Sequence, residues 1–184
     1  MDVETRPENI LDFWFDESVR PLWFQSTPEF DRTVRERYEA TWEAARSGTL
    51  DAWKERPEGA EALVIVLDQF PLNMYRGQAQ SFSTEDKARE VADHAIAEGF
   101  HLDMPDMWRA FLFMPFMHSE DLADQQRSVE LYETFGPEGN LKWARHHRDI
   151  VARFGRFPHR NAILGRESTE EEKVWLGSEE GFTG

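Results

Sequence analysis

The segment GAEALVIVLDQF, residues 59–70, is the most informative stretch of this chain for the fold class. Apolar side chains fill every position from Ala62 to Leu67, and Pro71 follows the segment directly. Such a run predicts a helix that is buried on most sides and that the proline ends or kinks. The run is far shorter than the roughly 20 apolar residues that span a bilayer. We therefore expect it to lie in a protein core.

Clear start and stop signals for helices lie on either side of this segment. The sequence STPE, residues 26–29, combines N-cap residues with an early proline and predicts the start of a helix that Gly48 ends. A second helix is predicted to open at Ser83 or Thr84 and to stop at Gly99, in the position where glycine most often follows a helix. The buried segment is therefore expected to pack among helices.

The C-terminal half of the chain carries four more helix patterns. They cover residues 104–114, residues 119–135 with Ser119 as the N-cap, residues 139–153 and residues 168–176. In the third pattern, Trp143, His147 and Val151 fall on one inward-facing stripe when positions are counted by threes and fours. In the last pattern, Thr169 and Glu172 have the spacing of a capping box.

Together these patterns define the fold class. The alternation of apolar and polar residues that marks strands is almost absent, so we predict an all-α protein of about eight helices in compact antiparallel pairs. Hydrophobic residues make up 40 % and charged residues 31 % of the chain, which supplies both a core and a solvated surface. No linker rich in glycine, serine or proline divides the sequence, and we expect one domain over residues 1–184.

Composition also excludes several classes of function. The chain has no cysteine, which excludes thiolate catalysis, disulfides and cysteine-type zinc sites. Its net charge of -15 repels nucleic acid and anionic membranes, so neither is an expected partner. The beginning MDVETRPENI lacks the positive start and the apolar run of a secretory signal. We therefore expect a cytoplasmic protein.

Charge is unevenly distributed along the chain. Residues 142–166 contain seven basic side chains and one acidic side chain, a net charge of +6, together with three of the six histidines. An arginine cluster of this kind predicts either a site for a carboxylate or phosphate or a dock for the protein's own acidic helices. Residues 153–166 include two glycines and a proline. They cannot form a regular helix, which leaves backbone N–H groups free for a ligand or for helix caps.

Two further polar stretches accompany this basic segment, HSEDLADQ at residues 118–125 and LDQFPLNMYRG at residues 67–77. In the first, an N-cap serine and a nearby carboxylate make helix capping an alternative explanation to a binding site. In the second, Asp68 ends an apolar helix, where a charge needs a partner. A basic residue from residues 142–166 is the expected partner.

Metal and cofactor binding find no support in the spacing of the residues. The candidate nitrogen and oxygen ligands are His118, Glu120, His147 and His159, yet no HExxH or similar helical pair is present. The chain also lacks the GxGxxG, Walker and GxSxG motifs. We therefore predict neither a metal nor a cofactor.

Four ungapped motifs, in the same order, resemble the bacterial family known as domain of unknown function 924. They are ILDFWF at residues 10–15, LDQFPLNMYRG at 67–77, HSEDLADQ at 118–125 and FGRFPHRNAILGRESTEEE at 154–172. The resemblance runs from about residue 10 to residue 176 and implies an all-helical fold similar to that of tetratricopeptide-repeat proteins. It implies no established activity.

The family pattern falls in this chain on polar residues of the last three motifs and of the helix between them. These residues are Asp68, Gln69, Asn73, Arg76, His118, Glu120, Gln125, His147, Arg153, Arg156, His159, Arg160 and Asn161. Leu72 departs from the pattern, because the family usually carries arginine after the proline. If that arginine contacts a ligand in other members, this chain binds the ligand more weakly or differently.

The leading hypothesis for function is one pocket that binds a small anionic molecule. Its anion contacts would be Arg76, Arg153, Arg156 and Arg160, and its lining would include Gln69, Asn73, Gln125, His159 and Asn161. His118 or His147 would act as the general acid or base, because imidazole titrates near working pH. Asp68 or Glu120 would orient that histidine.

Two alternatives remain open at the level of sequence. Stacked helix pairs could present a groove that binds an acidic peptide or a C-terminal carboxylate, which would make the protein an interaction module. The polar motifs could instead be capping and salt-bridge networks whose role is purely structural. An open concave face lined by the arginines favours the first alternative. The second predicts that replacing Arg156 or His159 costs stability without changing any binding.

Overall fold

The computed structural model describes residues 5–181. The predicted domain over residues 1–184 therefore includes two short ends, 1–4 and 182–184, that lie outside the described residues. The fold is 71 % helical, eight of its α-helices have seven or more residues, and residues 5–181 contain no strand. The prediction of an all-α fold is confirmed. None of the described helices is both long enough and apolar enough to cross a membrane.

The helices follow one another along the chain with short connections. They are α1 (Pro7–Trp14), α2 (Pro28–Arg46), α3 (Pro57–Val64), α4 (Phe70–Met74), α5 (Glu85–Ala97), α6 (Asp106–Leu112), α7 (Met114–Met117), α8 (Leu122–Phe135), α9 (Glu138–Phe154) and α10 (Glu170–Leu176). A π-helical turn, Ile65–Gln69, joins α3 to α4. Turns of 3-10 helix lie at Arg20–Leu22, Asp51–Glu55, Ala79–Phe82, Phe100–Leu102 and Pro158–Arg160.

The centre of the fold is the continuous helical segment formed by α3, the π turn and the start of α4. Every residue from 59 to 71 is buried, as the apolar run predicts. Helices α1, α5 and α6 pack against α3, while α2 packs against α4 and the π turn. Helices α8 and α9 pack against each other and both contact α7. A tetratricopeptide-like arrangement of these helices stays a prediction.

Pro71 does not end this central helix. A proline has no N–H, so in a regular helix it would leave the Leu67 carbonyl, four residues earlier, without a donor. The Thr84 hydroxyl donates to that carbonyl at 2.6 Å, and the Trp42 indole N–H donates to the same hydroxyl oxygen at 3.1 Å. The helix widens into the π turn just before the proline, which is a common way to accommodate an interrupted hydrogen-bond ladder. Helical structure then continues to Met74.

Several predicted helix ends agree with the structure. The Thr27 hydroxyl caps α2 by accepting the Phe30 N–H at 3.2 Å. Gly48 and Gly99 follow α2 and α5 with left-handed φ values of +88° and +75°, a conformation that glycine adopts without strain. Thr84 precedes α5 as predicted but makes no cap hydrogen bond with its side chain, because its hydroxyl serves the Leu67 carbonyl.

Three expectations in the C-terminal half were wrong in detail. The N-cap of α8 is Asp121 and not Ser119, since the Asp121 carboxylate accepts the N–H groups of the first turn at 2.7 and 3.3 Å. The helix predicted over residues 104–114 is shorter, Asp106–Leu112, and Met114 begins the separate short helix α7. Trp143 is 48 % exposed and so does not belong to the buried stripe of α9, whereas His147 does.

The last part of the chain packs on the outer side of α9. Helix α9 ends at Gly155, which has a left-handed φ of +71°. Helix α10 begins with the predicted capping box between Thr169 and Glu172. A hydrophobic cluster separate from the main core holds this region together and consists of Ile150, Val151, Phe157 and Trp175. The loop between α9 and α10 is thus anchored at both ends.

The core also contains an acidic residue, Glu61 on α3. Its side chain is completely buried, and neither carboxyl oxygen has a hydrogen-bond partner among residues 5–181. Burial raises the pKa of Glu61 well above its ordinary value, because ionisation in apolar surroundings is costly. The folded protein therefore favours the neutral acid at this position.

We predict that Glu61→Gln stabilises the fold and that its advantage grows as the pH rises. In the wild type, the free energy of unfolding falls with rising pH between the unfolded-state pKa of Glu61 and its raised folded-state pKa, because unfolding lets the carboxyl ionise. The fall is about 1.4 kcal/mol per pH unit. The free energy of unfolding, measured by urea denaturation at pH 5 and pH 8, tests this. Glu36→Gln, at an exposed position on α2, removes the same charge and is the control. An equal effect of the two substitutions at pH 8 would contradict the prediction.

Candidate functional site

Most of the basic segment, residues 142–166, is paired with the protein's own acidic side chains. Six arginines of the segment make such pairs, namely Arg145 with Glu133, Arg148 with Asp149, Arg153 with Glu171, Arg156 with Glu172, Arg160 with Glu85 and Arg166 with Glu120. The remaining cation, Lys142, lies 5.1 Å from the ring centre of Trp143. The uneven charge along the sequence is thus largely neutralised in three dimensions.

Among the buried polar groups is the carboxylate of Asp68, which lies on the π turn. Its side chain is completely buried. Oδ1 lies 2.9 Å from Nδ1 of His118, and Oδ2 accepts a hydrogen bond from the Gln69 amide at 2.6 Å. The sequence predicted a partner from the basic segment, but the partner found is His118, at the end of α7.

His118 differs from Asp68 in its access to solvent. Its side chain is 17 % exposed, and among the described residues no group forms a hydrogen bond with Nε2. Burial by itself would lower the pKa of His118, but the Asp68 charge and hydrogen bond, aided by Glu85, raise it above the ordinary value. Asp68 and Glu85 therefore both stabilise the protonated form of His118, and Asp68 holds Nδ1 from the buried side.

A second buried ion pair lies beside this one. The Arg160 guanidinium donates to both Glu85 oxygens, at 3.0 and 2.9 Å, and its Nη2 also donates to the His118 carbonyl at 3.0 Å. The guanidinium lies 4.2 and 4.9 Å from the ring centres of Phe82 and Phe157. Burial raises the pKa of Glu85, while Arg160 and His118 oppose that rise.

His147 and His159 lie near His118 and favour the neutral form. The pKa of His147 is lowered to about 3. Burial is the main cause, the charges of His118, His146 and His159 add to it, and the backbone hydrogen bond to Trp143 opposes it. Burial, together with Arg160, lowers the pKa of His159 to about 4. The Nδ1 atom of His147 lies 2.8 Å from the Trp143 carbonyl. Since a carbonyl only accepts, Nδ1 carries the proton.

Glu120 lies against the loop that follows α9 and forms no hydrogen bond to a histidine in the described part of the chain. Its carboxylate accepts the Phe157 N–H at 2.7 Å and binds Arg166 through two hydrogen bonds of 2.7 and 2.8 Å. Burial would raise the pKa of Glu120, but Arg166 and the Phe157 N–H lower it below the ordinary value. Glu120 therefore fixes this loop next to His118 and does not orient the imidazole.

Arg156 and Asn161 tie the same loop to α10. The Arg156 guanidinium contacts both oxygens of Glu172, at 2.8 and 2.9 Å, and the Asn161 amide donates to Glu172 at 3.1 Å. The Arg156 hydrogen bonds are the main reason that the pKa of Glu172 falls to about 2. The neighbouring pair of Arg153 and Glu171 is largely exposed.

The remaining candidates do not join the His118 group through any described hydrogen bond. Asn73 and Arg76 both donate to Asp31 on α2, at 2.8 Å for Asn73 and at 2.7 and 3.1 Å for Arg76. Gln125 uses its amide to donate to the carbonyls of Met117 and Ser119, at 2.7 and 2.6 Å. These side chains close helix ends and connect helices.

The central group of the site thus consists of Asp68, Gln69, His118, Arg160 and Glu85, with His147 and His159 close by. Sequence reasoning named every one of these except Glu85. In the sequence, Glu85 is one of two acids in the first turn of a helix, where acids are favourable in any case. Its neighbour Asp86 is exposed, and nothing in the sequence distinguishes the two.

The arrangement is suited to proton transfer and to binding an oxygen atom. A carboxylate that holds one imidazole nitrogen leaves the other to donate or accept a proton. The Nε–H of Arg160 is buried and has no hydrogen-bond acceptor among residues 5–181. The described residues include no group of three or more side chains with the geometry to hold a metal ion.

The fold and the site define the class as an all-helical protein with a carboxylate–histidine pair at the π turn of its central helical segment. The chain belongs to a bacterial family of unknown function, DUF924, whose profile matches residues 10–180. A solved structure of a protein of unknown function, ATU0120 from Agrobacterium tumefaciens, is 42 % identical with a TM-score of 0.88, and the match covers 93 % of this chain and 96 % of that one. No curated protein matches. The resemblance drawn from the four motifs is confirmed.

We predict that Asp68→Asn lowers the pKa of His118. The substitution removes the charge that raises this pKa and leaves the burial that lowers it. Titration of the histidine ring signals by NMR measures the change. Asp86→Asn, which removes an exposed charge from α5, should leave the His118 titration as it is in the wild type. A lowered pKa in both variants, or in neither, would contradict the assignment of Asp68 as the main partner.

We predict that Arg156→Met destabilises α10, whereas Arg153→Met changes stability by less than about 0.5 kcal/mol, as expected for an exposed pair. Glu172 has a lowered pKa in the fold, so its pairing stabilises the protein fully above pH 4.5. That stabilisation is lost as the pH falls through about 2. Hydrogen exchange of the α10 amides at pH 7 checks the comparison, and equal protection in the two variants would refute it.

Proposed function

We propose that this protein binds a small carboxylate or phosphate at His118 and that His118 exchanges a proton with the bound molecule. The proposal rests on one observation, the buried Asp68 carboxylate that holds Nδ1 of a partly exposed imidazole. This geometry fixes the tautomer and directs Nε2 outward. As imidazolium, His118 offers an N–H donor and a positive charge to a ligand oxygen.

The surroundings of His118 support an oxygen ligand. Arg160 adds a buried N–H that has no described acceptor. An oxygen placed against Nε2 of His118 would gain a charge-assisted hydrogen bond in a poorly solvated place. Arg76, Arg153 and Arg156 play no part in this proposal, because their charges are paired elsewhere.

Acid–base chemistry follows from the same contacts. The imidazolium can give its Nε2 proton to a bound oxygen, and the neutral imidazole can take a proton back, while Asp68 holds Nδ1–H in both states. His147 and His159 favour the neutral form. They therefore add polar contacts to the site without competing for the positive charge.

A second candidate function is an interaction module for an acidic peptide. The observation that favours it is the exposed pair of Arg153 and Glu171, beside a pocket whose apolar lining includes Ile150, Phe154 and Trp175. An acidic side chain could replace Glu171 there at little cost, because exposed ion pairs are weak. A glutamate-rich peptide that binds the wild type but not Arg153→Ala, measured by fluorescence anisotropy, would favour this candidate over the His118 site.

The test of the main proposal is a thermal-shift titration with inorganic phosphate, acetate and succinate against chloride at equal ionic strength. A ligand that binds only the folded state increases the free energy of unfolding, by about 2.7 kcal/mol at a concentration of 100 times Kd, and so raises Tm. We expect at least one of these anions to raise Tm of the wild type at pH 6. The increase should become smaller as the pH rises through the raised pKa of His118, because the neutral imidazole no longer offers a positive charge.

His118→Gln should abolish the anion-dependent increase in Tm, since it removes the charged donor and keeps a side chain of similar polarity. His94→Gln is the matched control, because His94 lies on α5 outside the site. The proposal fails if none of the three anions raises Tm, or if His118→Gln responds as the wild type does.

A further inference from the structure

We infer that Glu85 is a positioning residue for His118, which it holds through Arg160 at the backbone while Asp68 holds the ring. The inference concerns the same site as the proposed function, and its importance for a bound ligand rests on that function. Glu85 lies at the first position of α5, far along the chain from both His118 and Arg160. Only the fold brings these three residues together.

The contacts form a continuous chain from Glu85 to His118. Glu85 Oε1 accepts from Arg160 Nη2 at 2.9 Å, Oε2 accepts from Nη1 at 3.0 Å, and Nη2 also donates to the His118 carbonyl at 3.0 Å. A guanidinium held by two parallel hydrogen bonds keeps a fixed plane. The Nη2 atom is therefore fixed in the position that it needs to reach the carbonyl.

His118 needs this support because of where it lies in the fold. It follows the short helix α7, and carbonyls at the end of a helix have no partner within it. Arg160 supplies the donor for the His118 carbonyl, and Asp68 supplies the acceptor for the ring. Two carboxylates from different elements thus fix one residue at two points, which sets the direction of Nε2.

Five titratable groups interact electrostatically with His118. They are Asp68 on the π turn, Glu85 on α5, Arg160 and His159 in the loop after α9, and His147 on α9, with His147 and His159 favouring the neutral form. Asp68 and Glu85 favour the imidazolium, and Arg160 disfavours it. Removing Glu85 would leave Arg160 as an unpaired buried cation next to His118, so both the position and the protonation of the ring would change.

The experiment compares Glu85→Gln with Glu90→Gln by NMR titration of the histidine rings in the ligand-free protein. Glu90 is an exposed residue of the same helix, so the two variants carry equal net charge. We expect the His118 pKa to fall in Glu85→Gln and to stay at the wild-type value in Glu90→Gln. If Glu85 only stabilised the fold, Tm would drop and the His118 titration would not move, which would overturn the inference.

A further variant keeps the test decisive if Glu85→Gln does not fold. Glu85→Asp retains the charge but shortens the side chain, which weakens the grip on Arg160 and moves the charge away from His118. We expect the His118 pKa to fall in this variant as well, by less than in Glu85→Gln. If the His118 pKa were the same in Glu85→Asp as in the control Glu90→Asp, the inference would be overturned. The ligand-free titration does not depend on anion binding. If none of the three anions raised Tm, the proposed function would therefore be rejected and the Glu85 result would stand on its own.

Discussion

The structure depends on burying the carboxyl group of Asp68 within the apolar central helical segment. A carboxylate in such a place is tolerated only when hydrogen bonds and an opposite charge compensate for lost hydration. Gln69 and His118 provide that compensation. Three further features contribute to this arrangement. The π turn sets the direction of Asp68, Thr84 allows Pro71 to stay in the helix, and α7 places His118 beside Asp68.

A second constraint is the loop between α9 and α10, which has no regular helix of its own beyond one short turn. Buried or half-buried charges fix it in three directions, through Glu85, Glu120 and Glu172. Each of these acids binds an arginine through two hydrogen bonds, which is the geometry that best repays desolvation. The basic character of residues 142–166 is therefore, in large part, the means by which the loop is attached. The same attachment places Arg160 against His118.

Glu61 and Asp68 show how differently one core can treat two acids. Both lie on the central helical segment and both are buried. Asp68 has two hydrogen-bond partners, the Gln69 amide and the His118 imidazole. Glu61 has no described partner, and its pKa rises. The first arrangement compensates for burial of the acid with hydrogen bonds, whereas the second costs the protein stability as the pH rises.

The sequence by itself determined the all-α class, the buried central helix, the left-handed glycines that end α2 and α5 and the capping box of α10, because these features depend on local periodicity and local hydrogen bonds. It also pointed to His118, Asp68 and Arg160 as candidates. The tertiary structure alone decided which charges meet: His118 and not a C-terminal arginine partners Asp68, Glu85 joins Arg160, and Arg76 lies apart with Asp31. The physical reason is that an ion pair depends on distance in space, and residues 50 or 75 positions apart in the chain carry no local signal of meeting.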